Sequence, residues 1–269
     1  MWIAIASGVL IGAVMGLMGA GGGILAVPVL VAGLDWSMQQ AAPVALVAVT
    51  AGAVVGTIDG FRHRLVRYKA AMLMAACGIP MTHLGQVWAQ RLPQHWLMGG
   101  FALLMLLVAR RFYGQARQDQ AASDDVLYLA FINEQTGKFI WTPVSALVLA
   151  CIGLFTGWMT GLLGVGGGFL IVPLMRRFTN LALPGIVATS LFLISMVSGG
   201  GAINALISGA QLPWAETSGF VAAMVSGMLL GRFFSRKLKP QQVQMGFAVL
   251  LLALSIYLWL KVWQMIHAV

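Results

Sequence analysis

A glycine-rich stretch of thirteen residues occurs twice in this chain, each time inside a long apolar run. The first copy, GLMGAGGGILAVP, covers residues 16–28, and the second, GLLGVGGGFLIVP, covers residues 161–173. Nine of the thirteen paired positions are identical at a spacing of 145 residues. Each glycine costs a helix about 1 kcal/mol relative to alanine, so four glycines within five residues predict a broken helix. At membrane depth, a break is tolerated only where the backbone is buried in protein or lines a cavity.

The composition is typical of a polytopic membrane protein. Of the 269 residues, 60% are hydrophobic and 9% are charged, and the mean hydropathy is +0.90. The formal charge of +9 could suggest nucleic acid, but the lysines and arginines lie in short loops between apolar segments. That distribution is the topology signal of a membrane protein. The lipid bilayer is therefore the expected partner, and no nucleic acid is expected.

The duplication extends beyond the glycine motif. Residues 85–106 align with residues 231–252 at a constant spacing of 146. The pattern predicts two repeats, 1–111 and 139–269, joined by a polar cytoplasmic linker over 112–138. Each repeat contains one glycine-broken segment, re-entrant or split into two short helices, followed by three transmembrane helices. A duplicated unit of this kind is typical of secondary transporters.

Charge counting predicts the relative orientation of the halves, because lysine and arginine concentrate on the cytoplasmic side. If every segment crossed once, the sixteen basic residues would split nine against seven. If the second glycine segment returns to the face it entered from, only Arg91 and Lys261 oppose the other fourteen. Seven of the nine tryptophans then fall at the outer face, where indoles gather. We therefore predict an all-α protein with two inverted-topology repeats and both termini outside.

The glycine breaks are the predicted substrate site. A broken helix frees backbone N–H groups at the start of the following half-helix, and its dipole favours an anion there. We place these half-helix starts near Gly22 and Gly167, and expect leucine at either position to abolish binding without unfolding the protein. Helix packing alone is the other reading of the clusters, and it is the one we prefer for Gly8, Gly12 and Gly16. The predicted site residues are Gly19, Ala20, Gly21, Gly22, Gly23, Gly164, Val165, Gly166, Gly167 and Gly168.

Hydroxyl and amide side chains on the second span of each half are the next candidates. Five of them are predicted to contact the substrate: Thr50, Thr189, Ser190, Ser195 and Asn204. Thr57 and Ser198 are further candidates that we do not select. The alternative for each hydroxyl is a hydrogen bond to its own backbone.

Ionisable residues inside the membrane are few, and each is a functional hypothesis. Asp59 and His83 are the candidates for coupling to an ion. A local ion pair between Asp59 and Arg62, and an interfacial role for His83, are the alternatives.

No enzyme motif is present in the sequence. There is no HExxH and no GxSG, and the four histidines are scattered over different segments. No lysine follows the glycine cluster as it would in a P-loop. We expect no catalytic residue, no metal and no cofactor.

The duplicated GxGGGxLxVP element, with ATSL at Ala188–Leu191 after the second copy, resembles the TauE/SafE sulfite exporter family, also called the 4-toluene sulfonate uptake permease family. The family motifs fall on Gly19–Pro28 and Gly164–Pro173. The first half departs from the pattern with Ala45-Leu46-Val47-Ala48 in place of ATSL. The resemblance implies transport of sulfite, sulfoacetate or other sulfonates across the bacterial cytoplasmic membrane, often as export.

The sequence therefore predicts a secondary transporter, an exporter of a small sulfur-containing anion, that binds its substrate between the two breaks and works by alternating access. A homodimer is a possible assembly. The alternatives are an anion channel, a permease for another small organic anion or carboxylate, and a non-transporting membrane scaffold. Substrate identity and ion coupling stay open.

Overall fold

In a computed structural model the chain is an all-helical bundle, and the structure describes residues 2–117, 129–131, 139–210, 212–235 and 240–267. Seven of the described helices are long and apolar enough to cross a membrane. The predicted all-α membrane fold is therefore confirmed. The helices are α1 (Trp2–Met18), α2 (Ala26–Leu34), α3 (Met38–Arg62), α4 (Tyr68–Arg91), α5 (Gln94–Arg117), α6 (Pro143–Leu163), α7 (Gly168–Phe178), α8 (Leu183–Ile207), α9 (Trp214–Ser235) and α10 (Pro240–His267).

The first glycine copy forms a 3-10 helix, Gly19–Leu25, between α1 and α2. Gly19 has a left-handed backbone with φ of +75°, which ends α1. The chain then reverses, since Gly22 lies against the backbone of Met15, seven residues earlier. An apolar helical stretch runs from Gly21 to Leu34, as predicted near Gly22, but it begins as 3-10 helix and becomes the α-helix α2 only at Ala26. The intervening glycines take the tighter 3-10 winding, which is common in short helix connections.

The second glycine copy has a different backbone. Gly164, Gly166 and Gly167 all adopt left-handed conformations, with φ of +71°, +72° and +63°. The helix α7 then begins at Gly168, which confirms the predicted start near Gly167. Gly167 lies against Thr160, again seven residues earlier, so this segment also reverses.

Neither reversal leaves room for a large side chain. A Cβ on Gly22 would collide with the backbone nitrogen of Met15, and a Cβ on Gly167 would lie 2.6 Å from Thr160 Oγ1 and 2.9 Å from the Thr156 carbonyl. Leucine at either position would disturb the fold. The expectation that such variants lose only binding is therefore wrong.

Small residues bring the first helix of each half against the fourth helix of the other half, α1 against α9 and α6 against α4. A Cβ on Gly12 would overlap the carbonyl of Met224 in α9, and a Cβ on Gly16 would overlap that of Met228. Gly157 approaches the Gly78 carbonyl in the same way, at the contact of α6 with α4. Such close backbone approach is how small residues drive helix association in membranes. The predicted packing role of Gly8, Gly12 and Gly16 is confirmed.

Two pairs of helices at equivalent positions in the two halves, α3 with α8 and α5 with α10, pack against each other and run in opposite directions. In the α3–α8 pair, Gly60 lies beside Ala188 at one end, and Gly201 lies beside Leu46 at the other. In the α5–α10 pair, Ser255 Oγ donates to the Ala102 carbonyl at 2.9 Å, and Phe112 stacks edge-on against Phe247. Antiparallel pairing of equivalent helices is the geometry that inverted repeats require.

The predicted linker is only partly described. Helix α5 continues to Arg117, so it includes the first six residues of the predicted linker, 112–117. Leu129 and Ala130 donate their backbone N–H groups to the Phe178 carbonyl at the end of α7. Residues 118–128 and 132–138 lie outside the described residues.

Candidate functional site

The two glycine breaks meet inside the bundle. A Cβ on Gly23 would lie 3.1 Å from the Val165 carbonyl and 3.4 Å from both methyl groups of Val49. Val49 also contacts the second break, 2.8 Å from the position of a Cβ on Gly166. The residues of both breaks are buried, apart from Ala20, whose side chain lies outside the described part of the structure. The predicted juxtaposition of the two breaks is thus present in the fold, with Val49 of α3 in contact with both.

The two breaks offer different backbone chemistry. In the first, the 3-10 winding directs N–H groups to carbonyls three residues back, and the Ala26 N–H donates to the Gly23 carbonyl. In the second, Gly167 is the N-cap of α7 and supplies no side-chain hydrogen bond. The first-turn N–H groups of a helix have no partner within it. Anion-favouring amides therefore belong to the second break, and the two breaks differ in their backbone conformation.

The side chains around the second break are also more polar. Thr156, Thr160 and Ser198 are buried there, and Gly167 and Gly166 lie directly against Thr160 Oγ1 and Ser198 Oγ. At a spacing of 145, the corresponding residues of the first half are Ile11, Met15 and Ala53. The polar character of the site comes from the second half.

The four hydroxyl residues predicted for the site make backbone contacts. Thr50 donates to the Leu46 carbonyl at 2.6 Å, Ser190 to Ile186 at 2.7 Å, and Ser195 to Phe192 at 2.7 Å. Thr189 Oγ1 accepts from the Arg67 N–H at 3.0 Å, which joins α8 to the start of α4. None of these contacts involves a glycine break.

Asp59 forms a long-range ion pair and not the local one with Arg62. Its Oδ2 lies 2.6 Å from Arg232 Nη2 of α9, and His63 Nδ1 lies 3.4 Å from Oδ1. Arg232 Nη1 also donates to the Gly56 carbonyl at 3.0 Å. This cross-link joins α9 to the last turns of α3.

Asn204 takes part in an uncharged cross-link in which Gln86 contacts a backbone carbonyl, as Arg232 does in the cross-link above. Gln86 Nε2 donates to the Gly201 carbonyl at 2.8 Å, and Asn204 Nδ2 donates to Gln86 Oε1. His83 Nδ1 lies 3.0 Å from Asn204 Oδ1. The predicted residues His83 and Asn204 are therefore in contact with each other, at the α4–α8 interface.

A cavity of about 600 Å³ opens at one end of the bundle, and we call it the basic vestibule. Its wall includes Gly19 and Gly21 of the first break, together with Arg111, Arg176 and Arg232. Among the described residues, Arg111 and Arg176 have no ion-pair partner. Guanidinium groups beside apolar walls suit an anionic ligand.

A smaller cavity of about 290 Å³ lies at the opposite end, and we call it the neutral vestibule. Its polar residues are Gln39, Gln86, Gln90 and Ser208. Residues 161–163 line it, and they correspond to residues 16–18 in the wall of the basic vestibule. The two vestibules are equivalent places in the two halves, with charge at one and amides at the other.

Sequence reasoning missed the arginines of the basic vestibule and Gln86. One signal was available for Arg232 and Gln86, because they align in the repeat at the spacing of 146. No comparable signal marks Arg111 or Arg176, which belong to α5 and α7 and line one cavity only in the folded bundle. Among the described residues, no group of three His, Cys, Asp or Glu side chains comes together as a metal site would require.

Two buried breaks in contact, with a cavity toward each end of a helical bundle of membrane-spanning length, are the architecture of a membrane transporter. The family model of the Sulfite exporter TauE/SafE matches residues 4–258. The chain belongs to this family.

Three relatives carry names of the same kind. The chain is 25% identical over 260 residues to the probable membrane transporter protein YunE of Bacillus subtilis, covering 94% of this chain and 95% of that one. It is 26% identical over 268 residues to a probable membrane transporter protein of Xylella fastidiosa, with 97% and 95% covered. It is 24% identical over 242 residues to the probable membrane transporter protein MamO of Magnetospirillum gryphiswaldense, covering 83% of this chain and 38% of MamO. No solved structure matches the chain.

Proposed function

We propose that this transporter moves a small sulfur-containing anion, such as sulfite or an organosulfonate, outward across the bacterial cytoplasmic membrane. The observation that carries the proposal is the contact of the two breaks between a basic and a neutral vestibule. An anion attracted by Arg111, Arg176 and Arg232 would pass Gly21 on its way to the second break. The family name supports sulfite as the first substrate to test.

The halves are inverted repeats in this proposal, and the antiparallel α3–α8 and α5–α10 pairs support it. If each half adopted the conformation that the other half has now, the basic vestibule would close and the neutral vestibule would enlarge. This is how inverted repeats give alternating access. Val49 contacts both breaks, and in this proposal it forms part of the barrier between the two vestibules. The substrate would then be occluded when α3 and α8 close around the breaks.

The sidedness follows from charge. Arg62, Arg176 and Arg177 lie in the last turns of α3 and α7, at the end of the bundle that holds the basic vestibule. Lysine and arginine favour the cytoplasmic side. The start of α1 and the end of α10 lie at the opposite end, where Lys261 pairs with Asp35 at 2.9 Å. Both termini are therefore periplasmic in this proposal.

The neutral vestibule favours release of the anion on the periplasmic side. Gln86 stands there in place of Arg232, so an anion meets hydrogen-bond donors without a fixed positive charge. Charge-assisted hydrogen bonds are about twice as strong as neutral ones. An anion bound by arginine on one side and by amides on the other would bind more weakly on the periplasmic side.

The test is transport by purified protein in liposomes. We expect saturable uptake of labelled sulfite that is accelerated by unlabelled sulfite on the opposite side, since counterflow requires a carrier. Flux that does not saturate would indicate an anion channel. A ligand-stabilisation screen over sulfite, thiosulfate, sulfoacetate, taurine and carboxylates identifies the substrate class. Stabilisation by carboxylates alone would replace the sulfur anion, and no stabilisation by any of them would favour a scaffold.

A further inference from the structure

We propose that Ser198 is a direct anion ligand, and that the second break alone supplies the hydrogen-bond donors of the central site. This inference rests on the proposed function, because it names the groups that would hold the transported anion. It concerns a residue outside the set predicted from the sequence, and it makes the two halves unequal at the centre of the protein.

The hydroxyl of Ser198 is buried and has no hydrogen-bond partner. The residue is 0% exposed, and its Oγ finds no partner among the described residues. A buried hydroxyl without a partner loses its hydration and gains nothing in return, so such groups are rare in native proteins. Ser190 and Ser195 of the same helix avoid this by donating to backbone carbonyls. Ser198 is the hydroxyl of α8 that is available for a ligand.

Ser198 faces the anion-favouring end of α7. Its Oγ lies 2.8 Å from the position that a Cβ on Gly166 would occupy, two residues before α7 begins. The eleven residues of α7 give its first-turn amides a positive dipole end, and no side chain caps them. A hydroxyl donor and helix N-terminal amides converge on this place, and together they suit an oxyanion.

The equivalent place in the first half lacks every one of these groups. Ala53 stands in the position of Ser198, Met15 in that of Thr160, and Ile11 in that of Thr156. The first break also winds its amides into a 3-10 helix. The first break would therefore form an apolar wall of the site, while the second break would bind the anion.

The same geometry indicates how access is controlled. Val49 Cγ1 lies as close to Gly166 as Ser198 Oγ does, at 2.8 Å from the built Cβ. Val49 belongs to α3 in the other half. An anion reaches Ser198 only when α3 moves away from the second break, so binding at Ser198 is tied to the relative motion of the halves.

Ser198→Ala is the decisive variant, with Ser226→Ala as its control. Ser226 is a serine of α9 whose Oγ donates to the Ala223 carbonyl at 2.8 Å. We expect Ser198→Ala to weaken sulfite affinity roughly tenfold or more, the usual effect of losing a hydrogen bond to a charged group. We also expect its melting temperature without ligand to stay equal or rise, because a buried unpartnered hydroxyl is removed. Ser226→Ala should leave the affinity for sulfite unchanged, and sulfite should stabilise this variant as much as it stabilises the unmodified protein.

The outcomes separate the two proposals. If the unmodified protein binds sulfite and Ser198→Ala binds it equally well, Ser198 is not a ligand and the proposed function stands. A lower melting temperature without ligand, at unchanged affinity, would assign Ser198 a structural role and overturn the inference. If the unmodified protein binds no anion of the panel, the proposed function itself is wrong.

Discussion

Arg232 and Gln86 make the same contact from equivalent positions in the two halves of the protein. Each donates to a backbone carbonyl of the opposing second span, Gly56 for Arg232 and Gly201 for Gln86, at 3.0 Å and 2.8 Å. The two carbonyls are 145 residues apart. The duplication has preserved a cross-link while placing a charge in only one copy, and the charged copy lies in the wall of the basic vestibule.

The first prediction concerns this charge. Arg232→Gln should raise the sulfite concentration for half-maximal transport from the basic side roughly threefold to tenfold, because one cationic hydrogen-bond donor is lost from a partly hydrated wall. The glutamine can keep the contact to Gly56, as Gln86 does with Gly201, so folding should be preserved. Transport kinetics in liposomes of defined orientation measure this change.

Asp59→Asn is the opposing variant for the same measurement. It removes the carboxylate that competes for Arg232, so affinity from the basic side should stay equal or improve. The pair is partly exposed, with side-chain exposures of 40% and 27%, and its loss should cost at most about 1 kcal/mol of stability. Weakened affinity in Asp59→Asn and unchanged affinity in Arg232→Gln would contradict an anion-binding role for the arginine.

The sequence allowed the helical membrane fold and the meeting of the two breaks to be predicted, because both depend on apolar length and on a thirteen-residue repeat. It did not reveal that the repeats differ in backbone. Gly21 and Gly166 are identical residues in matching motifs, yet only Gly166 adopts a positive φ. The residues packed against the breaks also differ, since Met15 lies against Gly22 and Thr160 lies against Gly167. Both residues directly precede the motif, but the sequence alone does not show that they pack against it.

The hydroxyl candidates show the same limit. The sequence cannot distinguish a serine whose hydroxyl donates a hydrogen bond to its own helix backbone from a serine whose hydroxyl does not, since both occur in the same apolar helix. Ser195 and Ser198 are three residues apart, and only the position of the second break beside α8 distinguishes them. The long-range partner of Asp59 was equally hidden, because Arg232 comes from α9, 173 positions further along the chain.

The second prediction concerns the glycine contact between α1 and α9. Gly12→Ala should destabilise the protein by about 1–3 kcal/mol, since its methyl group would overlap the Met224 carbonyl and force the helices apart. Gly100 of α5 is the control, because a Cβ there meets no atom within 4 Å. Gly100→Ala should be neutral or stabilising by up to about 1 kcal/mol through helix propensity. Thermal unfolding in detergent compares the two variants, and equal melting temperatures would argue against the close α1–α9 contact.

The third prediction concerns topology. In a background with Cys77→Ala and Cys151→Ala, a cysteine at Glu216 should react with a membrane-impermeant thiol reagent added to intact cells. Glu216 lies in the first turn of α9, far from the basic vestibule. A cysteine at Arg177, at the end of α7, should react only after the membrane is permeabilised. Labelling of both positions in intact cells would overturn the inverted arrangement, and the reverse pattern would overturn the assigned sidedness.

The fourth prediction uses one matched pair of positions to compare the two breaks. Gly166→Ala should destabilise the protein by about 1–3 kcal/mol, because alanine is disfavoured at a φ of +72° and its methyl group would lie 2.8 Å from both Ser198 Oγ and Val49 Cγ1. Gly21→Ala should change stability by less than about 1 kcal/mol, since Gly21 has no positive φ and its Cβ would meet only Phe247 at 4.0 Å.

Thermal unfolding of both variants without added anion decides between unequal and equivalent breaks. Equal losses at Gly21 and Gly166 would mean that the two breaks share one conformation. A loss confined to Gly166 would instead support a second break that is held open by its own glycines, with a left-handed turn that only glycine occupies without strain. In that case the duplicated motif has kept its sequence, and the residues around it have changed one copy into the polar half of the site.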